Sequence, residues 1–308
     1  MHVRAEHLVL PAFIAESVLA GGNAVGVRFS NRELDPLWGA GFRFTLAALL
    51  LGSVMAVLRL PFPGGRALAG AIVFGALMFG GSFGLAYYAL VRIHAGLGQT
   101  LLALVPLATL LLAVAQRQER LRAAAMVGTL LSLVGVGLIS GLSERESVPL
   151  LSLLAALGAV FCFAQATVLV RHFPPVHSVT LNAIGMATGA AVLVALALVF
   201  GQSIVLPERA ETWIALAYLV AIGSGVVFVL YVFVIRLWSA SRAAYGFVLT
   251  PVVTVLLSAW LDDEPITAGL VFGGILVLAG VYVGALRSAP GSVPAPTALE
   301  ERPSSEPV

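Results

Sequence analysis

Ten apolar blocks, each long enough to cross a bilayer, alternate with short polar connections along this 308-residue chain. They fall at 8–28, 36–58, 67–90, 95–115, 122–140, 148–170, 176–200, 211–235, 240–261 and 266–286. The pattern predicts an all-α polytopic membrane protein with ten transmembrane helices. The segment 59–66 holds Pro61, Pro63, Gly64 and Gly65 and reads as a turn, whereas 201–211 is the longest loop. From 287 to 308 the chain is rich in Pro, Ser, Ala and Glu, the composition of a disordered tail. The first block carries Glu16 and has no convincing cleavage site, so it reads as a retained span rather than a signal peptide.

The blocks repeat. Residues 104–136 recur without a gap at 249–281, an offset of 145. Pro106 returns as Pro251, Thr109 as Thr254, Glu119 as Glu264, Gly128 as Gly273 and Gly135 as Gly280. Leucine matches mean little in an apolar chain, but Pro, Glu and Gly matches in one register do. The repeat divides the chain into a first half, 1–145, and a second half, 146–286, with five spans each. Five is odd, so the second half enters the membrane from the opposite side, which predicts two inverted five-helix repeats. Inverted halves allow a central site to open to one face and then to the other.

Composition agrees with a membrane protein: 60% of residues are hydrophobic and only 10% are charged, against about 25% charged in a soluble domain. The net charge of +2 does not mark a nucleic-acid protein, because the arginines are scattered between apolar blocks. With the N-terminus placed in the cytoplasm, eleven arginines lie on the inner side and five on the outer. Both termini, and the tail, are therefore expected at the cytoplasmic face of a bacterial inner membrane. The single cysteine, Cys162, excludes an intrachain disulfide.

Several short motifs in these blocks resemble the ten-span EamA-type permeases of the drug/metabolite transporter superfamily. In the first half they are Gly21-Gly22-Asn23, Asp35-Pro36, Arg43-Phe44, Ala95-Gly96-Leu97, Pro106, Glu119-Arg120-Leu121 and the glycines Gly128, Gly135 and Gly137. In the second they are Pro174-Pro175, Ala240-Ser241-Arg242, Pro251, Asp263-Glu264-Pro265, Gly273 and Gly280. The resemblance covers about residues 8 to 286. It departs at Ala20-Gly21, where members often carry Trp-Gly, and at Glu16. It implies secondary transport of small metabolites, frequently efflux of amino acids or related compounds.

Glu16 and Arg43 are the two charged residues placed well inside predicted spans. Each costs about 2.5–3.5 kcal/mol at the bilayer centre on insertion scales unless it faces a cavity or a partner. At 1.5 Å per residue, Glu16 lies about 12 Å from the inner end of its span and Arg43 about 10 Å from the outer end of its own. In a core about 30 Å thick this leaves roughly 8 Å between their heights, so a direct pair and a bridged pair both remain open. Glu16 reads as a proton-coupling or cation-binding carboxylate, or else as a folding partner. Asn23 lies seven residues on and shares its face. Gln99, Gln165, Tyr87 and Tyr245 are further substrate or coupling-ion candidates, with interhelical hydrogen bonding or interfacial anchoring as the alternatives. Pro106 and Pro251 remove backbone donors in mid-span and are hinge candidates.

Small-residue pairs at Gly22/Gly26, Gly80/Gly84, Gly185/Gly189 and Gly269/Gly273 predict close helix packing, and leave a homodimer face as an alternative. The string Gly80-Gly81-Ser82-Phe83-Gly84 matches a nucleophile elbow but lies in an apolar helix. The five histidines sit at span ends or in loops, without metal-ligand spacing. No catalytic residue, metal or cofactor is predicted, and Glu119 and Glu264 are expected to pair locally with loop arginines. The sequence thus predicts a transporter whose partners are a small-molecule substrate and the lipid bilayer: an exporter of a small metabolite such as an amino acid, with proton coupling as one option. A facilitative uniporter or an importer is the alternative within transport, and an integral-membrane enzyme or a channel the alternative outside it.

Overall fold

The computed structural model describes residues 2–90, 101, 102, 104–139, 149–250, 252, 253 and 268–286. Gln99, Pro251, Glu264, the half boundary near 145 and the tail 287–308 lie outside the described residues. All described secondary structure is helical. The helices are α1 (His2–Ser30), α2 (Pro36–Val57), α3 (Gly65–Gly75), α4 (Ser82–Leu90), α5 (Val105–Ala115), α6 (Ala123–Ile139), α7 (Leu150–Leu169) and α8 (Ser178–Val199). They continue with α9 (Ala210–Tyr218), α10 (Val227–Leu237), α11 (Ala240–Ala244) and α12 (Ala268–Val281). A π-helical stretch, Ala76–Gly81, joins α3 to α4, and another, Leu219–Val226, joins α9 to α10; a third, Tyr282–Leu286, ends α12.

Among the described residues, six stretches are long and apolar enough to cross a bilayer: Leu8–Val27, Pro36–Val57, Gly65–Ala89, Leu150–Leu169, Ser178–Val199 and Ala210–Leu237. Val105–Ala115, Ala123–Leu138 and Val271–Gly284 are shorter apolar helices. Within the expected fourth span, 95–115, Leu101 and Leu102 are helical, Leu104 is a turn, and α5 runs from Val105. Pro106 therefore occupies the first turn of α5, where its missing N–H costs no intrahelical bond. Eleven residues reach only about 16 Å, about half of a hydrocarbon core.

The outer surface carries apolar side chains such as Leu49, Leu130, Leu154, Ile214 and Phe272, each more than half exposed. A surface of this kind is covered by lipid chains rather than water. The interior is sealed by an aromatic cluster. Phe44 stands 5.0 Å from Phe79 and 4.9 Å from Phe83, and Phe79 stands 4.9 Å from Phe228, ring centre to ring centre.

Helix pairing follows the repeat. The contacts of α4 with α7 are the image of those of α10 with α1, and α2 packs on its own repeat mate α8, as α6 does on α12. At the last of these, a Cβ built on Gly128 would fall 2.6 Å from the Gly280 carbonyl oxygen, and one built on Gly135 would fall 2.6 Å from that of Gly273. The 145-residue offset exchanges these two contacts: Gly128 maps to Gly273 and Gly135 to Gly280. Because rising numbers on α6 meet falling numbers on α12, the two mates run antiparallel. Phe83 and its mate Phe228 also touch, with ring centres 6.4 Å apart. The two π-helical stretches end at equivalent positions, Gly81 and Val226. The duplication thus extends into the third and eighth blocks, beyond the stretch where residue identities reveal it. The remaining glycine pairs are packing contacts within the chain: Gly22 and Gly26 lie on Tyr218 and Leu219, Gly185 on Phe74 and Phe79, and Gly80 and Gly84 on Val192 and Leu196.

The α6–α12 contact is backbone on backbone and has no slack for a side chain. Gly135→Leu is expected to destabilise the purified protein by about 1–3 kcal/mol or more through overpacking, read as a lowered melting temperature in nanodiscs. Gly52→Ala, whose new methyl would meet nothing within 4 Å, is expected to leave that temperature unchanged or slightly raised.

Candidate functional site

Two polar groups sit in the buried centre, one around Glu16 on α1 and one around Arg43 on α2. Glu16 is 1% exposed, and its Oε2 has no hydrogen-bond partner among the described residues. Its other oxygen approaches Gly246: a Cβ built there would lie 2.7 Å from Glu16 Oε1 and 3.2 Å from Ser17 Oγ. Glycine at 246 is therefore what makes room for the carboxylate. Ser17 turns its hydroxyl back to the Phe13 carbonyl (2.7 Å), so it does not serve Glu16. Tyr231 lies within electrostatic reach of the carboxylate, but its hydroxyl is engaged with Thr167 Oγ1 at 2.9 Å.

The second group centres on Arg43, which is 2% exposed. Its Nε donates to Ser224 Oγ at 2.8 Å, and its guanidinium carbon stands 5.1 Å from the centre of the Phe44 ring. Its Nη2 has no hydrogen-bond partner among the described residues. Asn23 joins this group through Gly223. Its Nδ2 donates to the Gly223 carbonyl at 3.4 Å, while its Oδ1 is buried and has no partner among the described residues. A Cβ on Gly223 would collide with Asn23 Oδ1 and stand 3.3 Å from Arg43 Nη2. Tyr218 donates to the Leu19 carbonyl at 2.6 Å, and both Tyr218 and Tyr87 lie within electrostatic reach of Arg43.

Glu16 and Arg43 are not partners. The ion pairs among the described residues are Arg32–Glu211, Arg122–Glu119 and Arg209–Glu33. Each of the two buried charges instead faces its own glycine, Gly246 or Gly223, on the second half. Asn23 and Tyr87 join the Arg43 group. Gln165 and Tyr245 do not: Gln165 accepts from Gln116 (2.9 Å), and Tyr245 bonds to Thr129 (2.8 Å) and the Ala125 carbonyl (2.7 Å). Sequence reading missed Ser224, Gly223 and Gly246. The Gly223-Ser224-Gly225 triplet inside an apolar run was the available signal.

Both ends of the bundle are tied by carboxylates. At one end Asp35 accepts from the Ser203 amide (2.8 Å), and Glu33 from the amides of Glu208 and Arg209 (both 3.2 Å). The Thr212 hydroxyl, these two amides and the Arg209 charge hold the Glu33 carboxyl below the usual glutamate range. At the other end Glu119 accepts from the Ser241 amide (3.1 Å) and hydroxyl (2.5 Å) and stands 3.7 Å from Arg122. It thereby caps the start of α11 and meets a loop arginine as expected. Among the described residues, no group of three or more His, Cys, Asp or Glu side chains could hold a metal.

A group held below its ordinary pKa stabilises the fold above the unfolded glutamate range, and that contribution disappears as pH falls through the folded value. Glu33→Gln is thus expected to melt earlier than the parent at neutral pH, and the gap should close in acid. Ser224→Ala leaves the buried guanidinium without its Nε acceptor. It is expected to cost about 1.5–3 kcal/mol in thermal unfolding.

The whole chain has known likenesses. The uncharacterized inner membrane transporter YedA of Escherichia coli K12 is 25% identical over 284 residues, covering 88% of this chain and 91% of that protein. The uncharacterized transporter YoaV of Bacillus subtilis is 22% identical over 283 residues, covering 89% and 96%. One solved crystal structure shares the fold with a TM-score of 0.75 at 20% identity, over 90% of this chain and 96% of that one. The profile of the EamA-like transporter family matches twice, at residues 8–141 and 150–285, so the chain belongs to that family as a two-repeat, all-helical transporter.

Proposed function

We propose that this protein is an alternating-access secondary transporter that exports a small amphipathic metabolite, such as an amino acid, from the bacterial cytoplasm. Its ten spans form two inverted five-span halves, and both termini face the cytoplasm, the side to which the arginine bias assigns them. The observation that carries this reading is the reciprocal, antiparallel contact of repeat mates, Gly128 with Gly280 and Gly135 with Gly273. Two halves related in this way have equivalent alternative arrangements, one open to each side. The polar groups lie between the halves: Glu16, Asn23 and Arg43 come from the first, and Gly223, Ser224 and Gly246 from the second.

Glu16 is the coupling group in this reading. A buried carboxylate with no cationic partner is the place where a proton can be taken up and released as the cavity changes sides. A facilitative uniporter shares the architecture and differs only in Glu16.

Purified protein is to be screened against a metabolite panel by thermal shift, because a ligand of the native state raises apparent stability. Hits are then tested for counterflow in proteoliposomes. Saturable counterflow is expected, and flux without saturation or exchange points to a channel. Glu16→Gln is expected to keep counterflow and lose at least tenfold of proton-gradient-driven transport. Full gradient-driven activity in that variant removes Glu16 from the mechanism and favours the uniporter.

A further inference from the structure

A crevice of about 320 Å³ opens on the lipid-facing side of the bundle between α1, α12 and the ninth block. Phe13, Ser17 and Val281 line it and are buried, while Leu10, Ile14, Val18 and Leu278 on its rim are 42–56% exposed. Ser17 is the one polar lining residue among the described residues, and its hydroxyl is turned back to the Phe13 carbonyl. The crevice therefore offers an occupant dispersion contacts and no hydrogen bond. From Leu10 to Val18 it follows α1 for about 12 Å, close to the ~15 Å that one leaflet contributes to the hydrocarbon core. Direct contacts lead from it to a cation. The Phe13 ring centre stands 5.3 Å from that of Trp238, and the guanidinium carbon of Arg242 stands 4.4 Å from the centre of the Trp238 ring. Arg242 precedes the lining residue Leu249 by seven positions, so it lies about 10 Å nearer the end of the bundle. Arg122 and Glu119 both act on Arg242 electrostatically. Two positive charges and one negative thus gather beside Trp238 among the described residues.

We infer that this crevice and Arg242 together form the site of an anionic phospholipid, one acyl chain lying in the crevice and the phosphate meeting the guanidinium beside Trp238. The site is separate from the polar centre and does not depend on the carrier reading. Three observations carry it. The crevice is open to the bilayer along its rim, accepts hydrocarbon alone, and is about as long as one leaflet is deep. Trp238 ends α10 and lies between Phe13 and Arg242, apolar on one side and charged on the other, which is the setting of a tryptophan at the boundary of hydrocarbon and head groups. The local charge then selects the head group. Glu119 is engaged by the Ser241 amide, the Ser241 hydroxyl and Arg122, so no carboxylate is left to receive the ammonium of a zwitterionic lipid. One positive charge remains in excess, and a guanidinium presents its donors to a phosphate in a matching fork. A basic pocket between spans at the cytoplasmic side is where anionic head groups bind, and the arginine bias assigns this end of the bundle to that side. A free phosphate would have no use for the crevice, which is why the lipid is the occupant.

The test is native mass spectrometry of the delipidated full chain in detergent, titrated separately with dioleoylphosphatidylglycerol and dioleoylphosphatidylcholine. One phosphatidylglycerol is expected to bind at least tenfold more tightly than phosphatidylcholine, and excess glycerol 3-phosphate is expected not to displace it. Arg242→Gln is expected to weaken phosphatidylglycerol binding at least fivefold and to leave phosphatidylcholine unchanged. Arg59→Gln, at an exposed arginine outside the site, is expected to change neither. Leu278→Trp keeps the cation and enlarges a rim residue that is 56% exposed, away from the core. It too is expected to weaken phosphatidylglycerol binding at least fivefold, which keeps the inference testable if the Arg242 variant does not fold. Equal affinity for the two lipids, a preference retained in Arg242→Gln, or the same loss in Arg59→Gln overturns the assignment. Binding retained in Leu278→Trp overturns it in favour of a head-group contact without the crevice. Displacement by glycerol 3-phosphate overturns it in favour of a soluble phosphate.

Discussion

The close approach of α6 to α12 governs the rest of this architecture. In lipid there is no gain from hiding apolar side chains from water, so helices associate through tight packing and hydrogen bonds. Four glycines, two from each repeat, let the backbones touch. Because the two helices are repeat mates and run antiparallel, this contact, together with that of α2 on its mate α8, sets one half against the other. The pairings of α1 with α10 and α4 with α7 follow as images of each other. The aromatic cluster around Phe83 and Phe228 fills the space between the halves.

Against that symmetry stands an asymmetric set of charges. Glu16 and Arg43 both belong to the first half, and each rests on a glycine supplied by the second. The offset of 145 places Thr188 opposite Arg43, so the second half has no matching cation. The scaffold is thus shared between the halves, and the chemistry is not. A glycine at 223 or 246 is as specific to this arrangement as the charge it faces, since any side chain there would occupy the position of Asn23 Oδ1 or crowd Glu16 Oε1.

Much of this was legible in the sequence. The apolar blocks, the repeat and the two buried charges follow from hydropathy and register alone. Helix continuity does not: the block 95–115 is uniformly apolar around Pro106, yet the helix starts anew at Val105, because hydropathy is blind to where a backbone bond is missing. Whether Glu16 and Arg43 meet was not legible either. Their heights can be counted along each helix, but the turning of each helix about its axis is set by neighbours such as Ser224 and Gly246, which only the packed structure brings in. Gln165 and Tyr245 illustrate the same limit. Both are polar in apolar blocks like Asn23, yet both are consumed by bonds to Gln116 and Thr129.

The π-helical stretches carry a consequence for the shape of the two repeats. A π turn is a single extra residue absorbed within a helix without breaking it. Ala76–Gly81 and Leu219–Val226 end at the same position of the two repeats. The widened turn is thus a feature the two matched segments share, and it gives the third and eighth blocks the same bend at the same register.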